Sequence, residues 1–127
     1  MPRSDGIVFH RVIEGFMAQT GDVQHANMEK DYNPRMAGTG GSDLPNLKAE
    51  FSGVPHDRGT LGAARSQNPD SANSQFFINF SDNSFLNGQY TVYGRVIDGM
   101  QHVDAITRGK PPANPDRMIS VKVAADA

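Results

Sequence analysis

The chain has 127 residues, of which 37% are hydrophobic and 20% charged, and its net charge is -2. A single domain over residues 1–127 is expected, since a chain of this length buries about two thirds of its unfolded surface. The lack of a basic run argues against nucleic-acid and anionic-membrane partners, and the lack of cysteine excludes disulfide and thiol chemistry.

No apolar stretch approaches the roughly 20 residues that a membrane-spanning helix needs. Residues 1–6 lead directly into a predicted strand rather than into a signal peptide, so we expect a cytoplasmic protein. Glycine and proline separate many short apolar runs, a pattern typical of short strands joined by turns. The sequence therefore predicts a mostly β fold.

The segment FHRVIEGFMAQTGD, residues 9–22, predicts two short strands joined by a turn at Glu14 and Gly15. Arg11 and Gln19 interrupt otherwise apolar runs, and a guanidinium cannot lose its proton to ease burial. Such an arginine is expected at the edge of a cleft. The alternative is an arginine that pairs with a carboxylate or covers apolar surface with its aliphatic stem.

Three polar segments are interpreted as loops. Residues 23–37 show neither strand nor helix periodicity. The glycine-rich residues 38–43 lack the lysine and the immediate helix of a phosphate-binding loop, so we predict a flexible turn there. Residues 67–73 form a turn-rich loop with spaced Asn and Asp, but the twelfth position counted from Asn68 is Asn79 where a calcium-binding loop has glutamate, so we reject a calcium site.

Two strands are predicted in the middle of the chain. Residues 47–51 alternate in polarity, which predicts a strand with Leu47, Ala49 and Phe51 facing inward. Residues 60–65 are mostly small, and small side chains on a strand let a peptide backbone approach closely. That second strand is therefore a candidate wall of a peptide-binding site.

Alternation along residues 75–80 places three large apolar side chains on one face and a phenylalanine between two amides on the other. The first face is expected to be core. The second suits an apolar pocket with polar orienting groups, although a phenylalanine covered by a neighbouring loop explains it equally well. The core-facing residues are Phe76, Ile78 and Phe80, and the other face carries Gln75, Phe77 and Asn79.

The carboxy-terminal third is predicted to contain two strands and one helix. Residues 90–96 form the first strand, and residues 119–123 alternate as a last strand. Between them, Met100, Val103 and Ile106 recur at helical spacing and predict a short helix.

Three blocks, in order, resemble the cyclophilins, the peptidyl-prolyl cis/trans isomerases. Residues 9–22 match the family's FHR, GFM, Q and GD signature, and NSQFFI at residues 73–78 matches its SQFFI strand. FLNGQYTVYGRV at residues 85–96 matches a third family segment. In it, an aromatic residue, then Leu, then Asp or Asn, then Gly precede a V-x-G-x-V strand. The resemblance implies a cyclophilin-like antiparallel β-barrel with a short helix.

The chain starts late relative to the family. Residues 4–6 match the segment just before FHR, so the family's first two strands and first helix have no counterpart in this sequence. The resemblance therefore implies a barrel that is incomplete at the N-terminus. Unpaired strand edges of that kind favour association with another chain.

The resemblance implies a peptidyl-prolyl cis/trans isomerase that assists protein folding by acting on X–Pro bonds of proline-containing peptides and unfolded protein clients, without a cofactor or metal. Arg11 matches the catalytic arginine. The other matching positions form the proline pocket, hydrogen-bond the substrate backbone or leave room for it. These substrate-binding residues are Phe16, Met17, Gln19, Ala64, Arg65, Gln75, Phe77, Phe85, Leu86 and Tyr90.

Three positions depart from the pattern of many eukaryotic members, namely Phe85 in place of Trp, Tyr90 in place of His and Arg65 in place of Asn. The first removes an indole N–H donor, so weak or no cyclosporin binding is expected. The other two change the rim of the pocket but leave Arg11 intact. Bacterial members resemble this version more closely.

Two other functions remain open at this stage. A proline-peptide-binding module without significant turnover would share the pocket, and a β-barrel carrier would hold a small apolar ligand in its interior. The sequence favours neither a metal enzyme nor a serine hydrolase, because no G-x-S-x-G elbow is present and no histidines have ligand spacing. The histidines, interpreted as structural or surface residues, are His10, His25, His56 and His102.

Overall fold

A computed structural model describes residues 6–26, 32–112, 115–116 and 118. Five strands form one antiparallel sheet in the order β1-β2-β4-β3-β5. A 3-10 helix, Ser84–Leu86, and one short α-helix, α1 at Met100–Asp104, complete the regular structure of the described residues. The strands are β1 Arg11–Ile13, β2 Met17–Thr20, β3 Thr60–Ala63, β4 Phe76–Asn79 and β5 Val92–Arg95.

The predicted hairpin at the start of the chain is confirmed. β1 pairs with β2 so that Arg11 lies opposite Gln19 and Ile13 lies opposite Met17. Gly15 in the connecting turn has a φ of 71°, a left-handed conformation that glycine adopts without steric cost. The tight turn therefore fixes the register that brings Arg11 and Gln19 to one face.

One row of residues crosses the sheet on the face that carries the polar side chains. Arg11 pairs with Gln19, Gln19 with Phe77, and Phe77 with Gly62. Directly paired residues in antiparallel strands project to the same side of the sheet. This face, which we call the cleft face, thus places an arginine, an amide and an aromatic ring side by side.

The opposite face carries the main hydrophobic core. Its central row is Val12, Ala18, Ile78 and Leu61, each paired with the next across the sheet. The alternation predicted for residues 75–80 is confirmed, because the side chains on this face belong to the core cluster. The core cluster and its flanking residues include Ile7, Phe9, Val12, Ala18, Phe76, Ile78, Phe80, Val96, Met100, Val103, Ile106 and Met118.

The predicted helix is confirmed as α1, which places Met100 and Val103 against the core cluster. It begins after Gly99, whose φ is 83°. Ile106 follows the helix and is 8% exposed.

None of the described helices has the length and apolarity needed to cross a membrane. The last predicted strand, residues 119–123, lies outside the described residues.

The strand predicted over residues 47–51 is wrong. Leu47 makes only an isolated bridge to Ala72, and the supposed inward residues Leu47 and Phe51 are 48% and 45% exposed. Backbone N–H groups of this segment donate to side chains instead, as Ala49 does to Asp70 at 2.9 Å. Alternation over five residues was too short to specify a strand when no neighbouring strand offered its backbone.

The sheet formed by the described strands is open, with β1 and β5 at its two edges. This arrangement agrees with the predicted barrel that is incomplete at the N-terminus. Beyond the β1 edge, Val12 exchanges two backbone hydrogen bonds with Gly109 at 2.8 and 2.9 Å. The segment after α1 is thereby held next to β1, at the border of the cleft face.

Candidate active site

A cleft of about 430 Å³ opens on the cleft face of the sheet. Nine of the eleven residues predicted from the sequence line it, and their positions span β1, β2, β4, the end of β3 and the 3-10 helix. The two predicted residues that do not line it are Gln75 and Phe85. The nine that do are Arg11, Phe16, Met17, Gln19, Ala64, Arg65, Phe77, Leu86 and Tyr90.

The floor and one wall of the cleft are apolar. Met17, Phe77 and Leu86 form a buried cluster, and Phe16 and Tyr90 pack against it. Because the three central side chains are at most 7% exposed, they present a fixed surface rather than a mobile one. A small apolar ring fits such a surface well.

Polar groups border this apolar surface on the side of β1 and β2. Arg11 is exposed, and no residue in the described part of the chain accepts a hydrogen bond from its guanidinium or pairs with it. Gln19 donates from its amide to Gln75 at 3.0 Å. The guanidinium is therefore available to a bound molecule, while the amide of Gln19 is oriented.

Gln75 supports this arrangement from outside the cleft lining. Its amide nitrogen donates to the carbonyl oxygens of Gly38 at 3.0 Å and Gly40 at 2.8 Å, and its oxygen accepts from Gln19. With both kinds of hydrogen-bonding group engaged in the protein, Gln75 holds Gln19 to the turn around Gly38. The direct substrate contact predicted for Gln75 stays a prediction.

The rim at the end of β3 is built from Arg65 and Tyr90. The guanidinium carbon of Arg65 lies 4.4 Å from the centre of the Tyr90 ring, and its Nη2 donates to the carbonyl of Gln89 at 2.7 Å. Stacking and hydrogen bonds together fix the direction of this cation. Phe85 stands outside the cleft, 64% exposed, with its ring centre 5.7 Å from that of Phe16.

A buried polar network packs against the apolar floor, and no pattern in the sequence indicated it. His56, 1% exposed, stacks on Phe77 at 5.8 Å and bonds the carbonyl of Tyr90 through Nε2 at 2.9 Å. Asn79 donates to Thr60 Oγ1 at 2.8 Å, with His56 Nδ1 3.4 Å away. The predicted place of Asn79 among the pocket's orienting groups is wrong, because Asn79 is fully buried and its amide donates to Thr60.

The network continues to the front of the cleft through Asn83. Its amide donates to Asn79 Oδ1 at 2.6 Å and to the carbonyl of Phe16 at 2.9 Å. Buried amides that are satisfied in this way rigidify their surroundings. The orientation of Phe16, a wall residue, is thus tied to the centre of the sheet.

Asp22 anchors the opposite border of the cleft. Its carboxylate is fully buried and accepts hydrogen bonds from the backbone N–H groups of Gln24, His25, Gly38 and Gly40 at 2.8 to 3.1 Å. The predicted turn over residues 38–43 is therefore held against the sheet by a charged side chain. Bonds of this charge-assisted kind are stronger than neutral ones.

The structure adds cleft residues that the sequence did not single out. Apart from His10, which directly precedes β1, they come from the turn between Tyr32 and Gly40 and from the segment after α1, which no periodicity marked as functional. Among the described residues, no group of three His, Cys, Asp or Glu side chains is placed to hold a metal ion. The additional lining residues are His10, Pro34, Arg35, Ala37, Gly38, Thr39, Lys110 and Pro111.

His10, which lines the cleft next to Arg11, is buried at 4% exposure, and neither of its ring nitrogens is within hydrogen-bonding geometry of a described residue. Burial lowers the pKa of His10, and the positive charge of Arg11 acts in the same direction. The carboxylate of Asp22 and the side chain of Gln75 oppose this shift. The folded protein therefore favours a neutral imidazole.

This burial predicts a loss of stability in acid. The unfolded chain takes up the His10 proton more readily than the folded chain, so the free energy of unfolding falls as the pH drops below the ordinary histidine value of 6.5. Melting temperatures of the wild type and of His10→Gln, measured from about pH 7.5 to about pH 5.5, should show the smaller pH dependence in the variant. Equal pH dependence in both proteins would contradict this explanation.

Comparisons with known proteins agree with this geometry. The family model for the cyclophilin type peptidyl-prolyl cis-trans isomerases matches residues 3–123. A probable peptidyl-prolyl cis-trans isomerase of Brucella abortus is 57% identical over 127 residues, which cover 96% of this chain. Peptidyl-prolyl cis-trans isomerase B of Escherichia coli is 40% identical over 107 residues, covering 78% of this chain and 59% of that protein. The chain spans 65% of the length of the Brucella relative.

Solved structures show the same fold. A cyclophilin from Hirschia baltica superposes with a TM-score of 0.78 at 24% identity, covering 98% of this chain and 61% of that one. A cyclophilin type isomerase of Cryptosporidium parvum, determined in the presence of the dipeptide Ala-Pro, gives a TM-score of 0.74 at 28% identity, covering 92% and 73%. Because the family model matches nearly the whole length of the chain, the chain belongs to the cyclophilin type peptidyl-prolyl cis-trans isomerases.

Proposed function

We propose that this chain catalyses the cis/trans isomerisation of X–Pro peptide bonds in proline-containing peptides and unfolded protein clients. The observation that carries the proposal is an exposed arginine, Arg11, beside a rigid apolar surface made by Met17, Phe77 and Leu86. Family membership and the names of the bacterial relatives support it. So does the C. parvum structure, which was determined with Ala-Pro present.

The chemistry requires no nucleophile, metal or proton transfer. Rotation about the C–N bond is slow because it abolishes amide resonance, with a barrier of roughly 18–20 kcal/mol. As the bond twists, the proline nitrogen regains a lone pair that accepts a hydrogen bond. A donor placed above that nitrogen binds the twisted form more strongly than the planar one, which lowers the barrier.

Arg11 is proposed as that donor. Its guanidinium lies at the edge of the cleft, and no described residue competes for its N–H groups. One well-placed donor in a site that excludes water contributes about 3 to 4 kcal/mol. Fixing the proline ring and the flanking backbone accounts for further acceleration.

The remaining residues are proposed to hold the peptide. The apolar wall receives the proline ring, and Gln19, whose amide is oriented by Gln75, hydrogen-bonds the substrate backbone. The small side chain of Ala64 leaves room for the substrate peptide to lie against the end of β3.

We propose weak or no cyclosporin binding, because Phe85 supplies no N–H donor and packs on Phe16. We propose no nucleic-acid or membrane partner, given the net charge of -2.

A second candidate function is proline-peptide binding without significant turnover. It is favoured by one observation, namely that the apolar wall is internally supported while Arg11 has no described partner to fix its position. Catalysis requires the donor to be held within about 0.5 Å of its productive place, whereas binding tolerates a looser arrangement.

Exchange NMR on a short Ala-Pro peptide distinguishes the two functions. The isomerase proposal expects the purified chain to accelerate exchange between the cis and trans forms at substoichiometric concentration. Chemical-shift changes that report binding without faster exchange would establish the binding module and reject the enzyme. A folded chain that produces neither effect would reject both functions.

A further inference from the structure

The cleft has an unusual charge for a protein that is acidic overall. Four cationic side chains line it, and no carboxylate is among the described residues that do so. The whole chain carries a net charge of -2, so this is a local concentration of positive charge rather than a general property. The four residues are Arg11, Arg35, Arg65 and Lys110.

None of the carboxylates in the described part of the chain forms an ion pair with these four cations. In the described part of the chain, the arginine ion pairs join Arg58 to Asp104 and Arg108 to Glu14, and neither arginine lines the cleft. Asp22, the carboxylate that anchors the turn at the cleft border, is fully buried. Its oxygens accept hydrogen bonds from backbone N–H groups, and it forms no ion pair with any of the four cations.

The cations come from separate parts of the fold that meet at the cleft. Arg35 lies in the turn before Gly38, Arg65 follows β3, and Lys110 follows the Gly109 bridge to β1. Arg65 is held in place by its stack on Tyr90. Arg35 and Lys110 are exposed and able to reach a ligand.

Such a cleft suits a peptide whose proline is flanked by acidic residues. The apolar wall fits the proline ring, whereas phosphate-rich ligands offer nothing to that wall. An extended peptide spans at most about 3.3–3.6 Å per residue, so side chains beside the proline come close to the bordering cations. Walls of low polarity also strengthen the local field.

We propose that the cleft selects proline-containing segments with Asp or Glu next to the proline. This inference rests on the proposed function for its site, but it concerns the sequence around the proline rather than the rate of bond rotation. Charge selection of this kind changes both the association rate and the affinity, and it weakens with added salt.

The test compares two peptides that differ only in charge, Ala-Glu-Pro-Glu-Ala and Ala-Gln-Pro-Gln-Ala, with blocked ends. Exposed ion pairs change affinity by about 1.5-fold to 5-fold each, so the Glu peptide should bind at least about twofold more tightly in low salt. At about 1 M NaCl, where the Debye length is near 3 Å, the difference should largely disappear. Equal dissociation constants for the two peptides in low salt would overturn the inference.

Variants locate the effect in the cleft. Arg35→Gln combined with Lys110→Gln should reduce the affinity ratio of the two peptides, whereas Arg95→Gln should preserve it. Arg95 is a matched control because it is exposed on β5 and does not line the cleft. An equal reduction in the control variant would overturn the assignment to the cleft.

Exchange rates measured on the same samples keep the two proposals separate. Accelerated exchange with equal affinities leaves the isomerase proposal standing and rejects charge selection. Tighter binding of the Glu peptide without faster exchange supports charge selection and rejects the isomerase proposal. Failure of both peptides to bind would overturn charge selection, whatever the exchange rate.

Discussion

Replacing Arg11 with alanine is expected to reduce the acceleration of X–Pro exchange by about a hundredfold to a thousandfold. The reason is that the proposed donor acts on the twisted amide and not on the planar one, so its removal raises the barrier without abolishing peptide binding. The measurement is exchange NMR on the Ala-Pro peptide at equal concentrations of wild type and variant.

Folding is the first control for this variant. Arg11 is exposed and makes no hydrogen bond to a described side chain, so its removal should change the free energy of unfolding by no more than about 0.5 kcal/mol. Arg11→Lys provides the second control, since it keeps the charge but loses the planar fork of donors. We expect most of the activity to be lost in this variant as well.

Two results would contradict the role of Arg11. One is an Arg11→Ala variant that retains most of the acceleration, which would leave the apolar wall and water exclusion as the source of catalysis. The other is a variant that loses activity only because it no longer binds peptide, which titration of the same peptide detects. In either case the arginine would not be the catalytic donor.

The sequence predicted most strands near the site because their alternation coincides with burial on one face. Along β4, Ile78 faces the core and Phe77 faces the cleft, as the period of two requires. The same rule failed at residues 47–51, whose N–H groups bond side chains such as Asp70 and the hydroxyl of Thr91. Alternation predicts which face of a strand would be buried. It does not show whether a neighbouring strand is available to pair with the backbone.

The candidate cleft residues came from the resemblance more than from the residues themselves. Residue chemistry alone favours an arginine that pairs with a carboxylate or covers apolar surface, whereas the structure places Arg11 at the cleft without a described partner. The supporting network could not be predicted at all. His56, Asn79 and Asn83 are far apart in sequence, and only the folded chain brings their polar groups together.

Gly62 is required by the packing of a neighbouring strand and not by a bound peptide. The small residues over 60–65 predict room for a peptide, and Ala64, directly after β3, does line the cleft. Gly62, however, makes room for the protein's own Phe77, to which it pairs across the sheet. A steric requirement between two strands is invisible until their register is known.

Gly62→Ala is therefore expected to damage both the fold and the cleft. A methyl group at this position would overlap Phe77 Cζ and lie 2.9 Å from His56 Cε1. The ring cannot retreat easily, because His56 stacks on it at 5.8 Å and Tyr90 meets it edge-on at 5.9 Å. Overpacking of this kind costs about 1–3 kcal/mol, and a displaced Phe77 ring would distort the apolar wall. Urea unfolding should show the loss of stability, and peptide titration should show weaker binding.

Gly94→Ala is the matched control, since Gly94 also lies in a strand, β5, and a methyl group there would meet no atom within 4 Å. We expect its stability to stay within about 0.5 kcal/mol of the wild type and its peptide affinity to be unchanged. A second variant tests the steric cause directly, because Phe77→Leu removes the part of the ring that the methyl group would overlap. Combined with Gly62→Ala, it should cost less stability than the sum of the two single changes. Additive losses would show that Gly62 is required for its backbone and not for the space it leaves to Phe77.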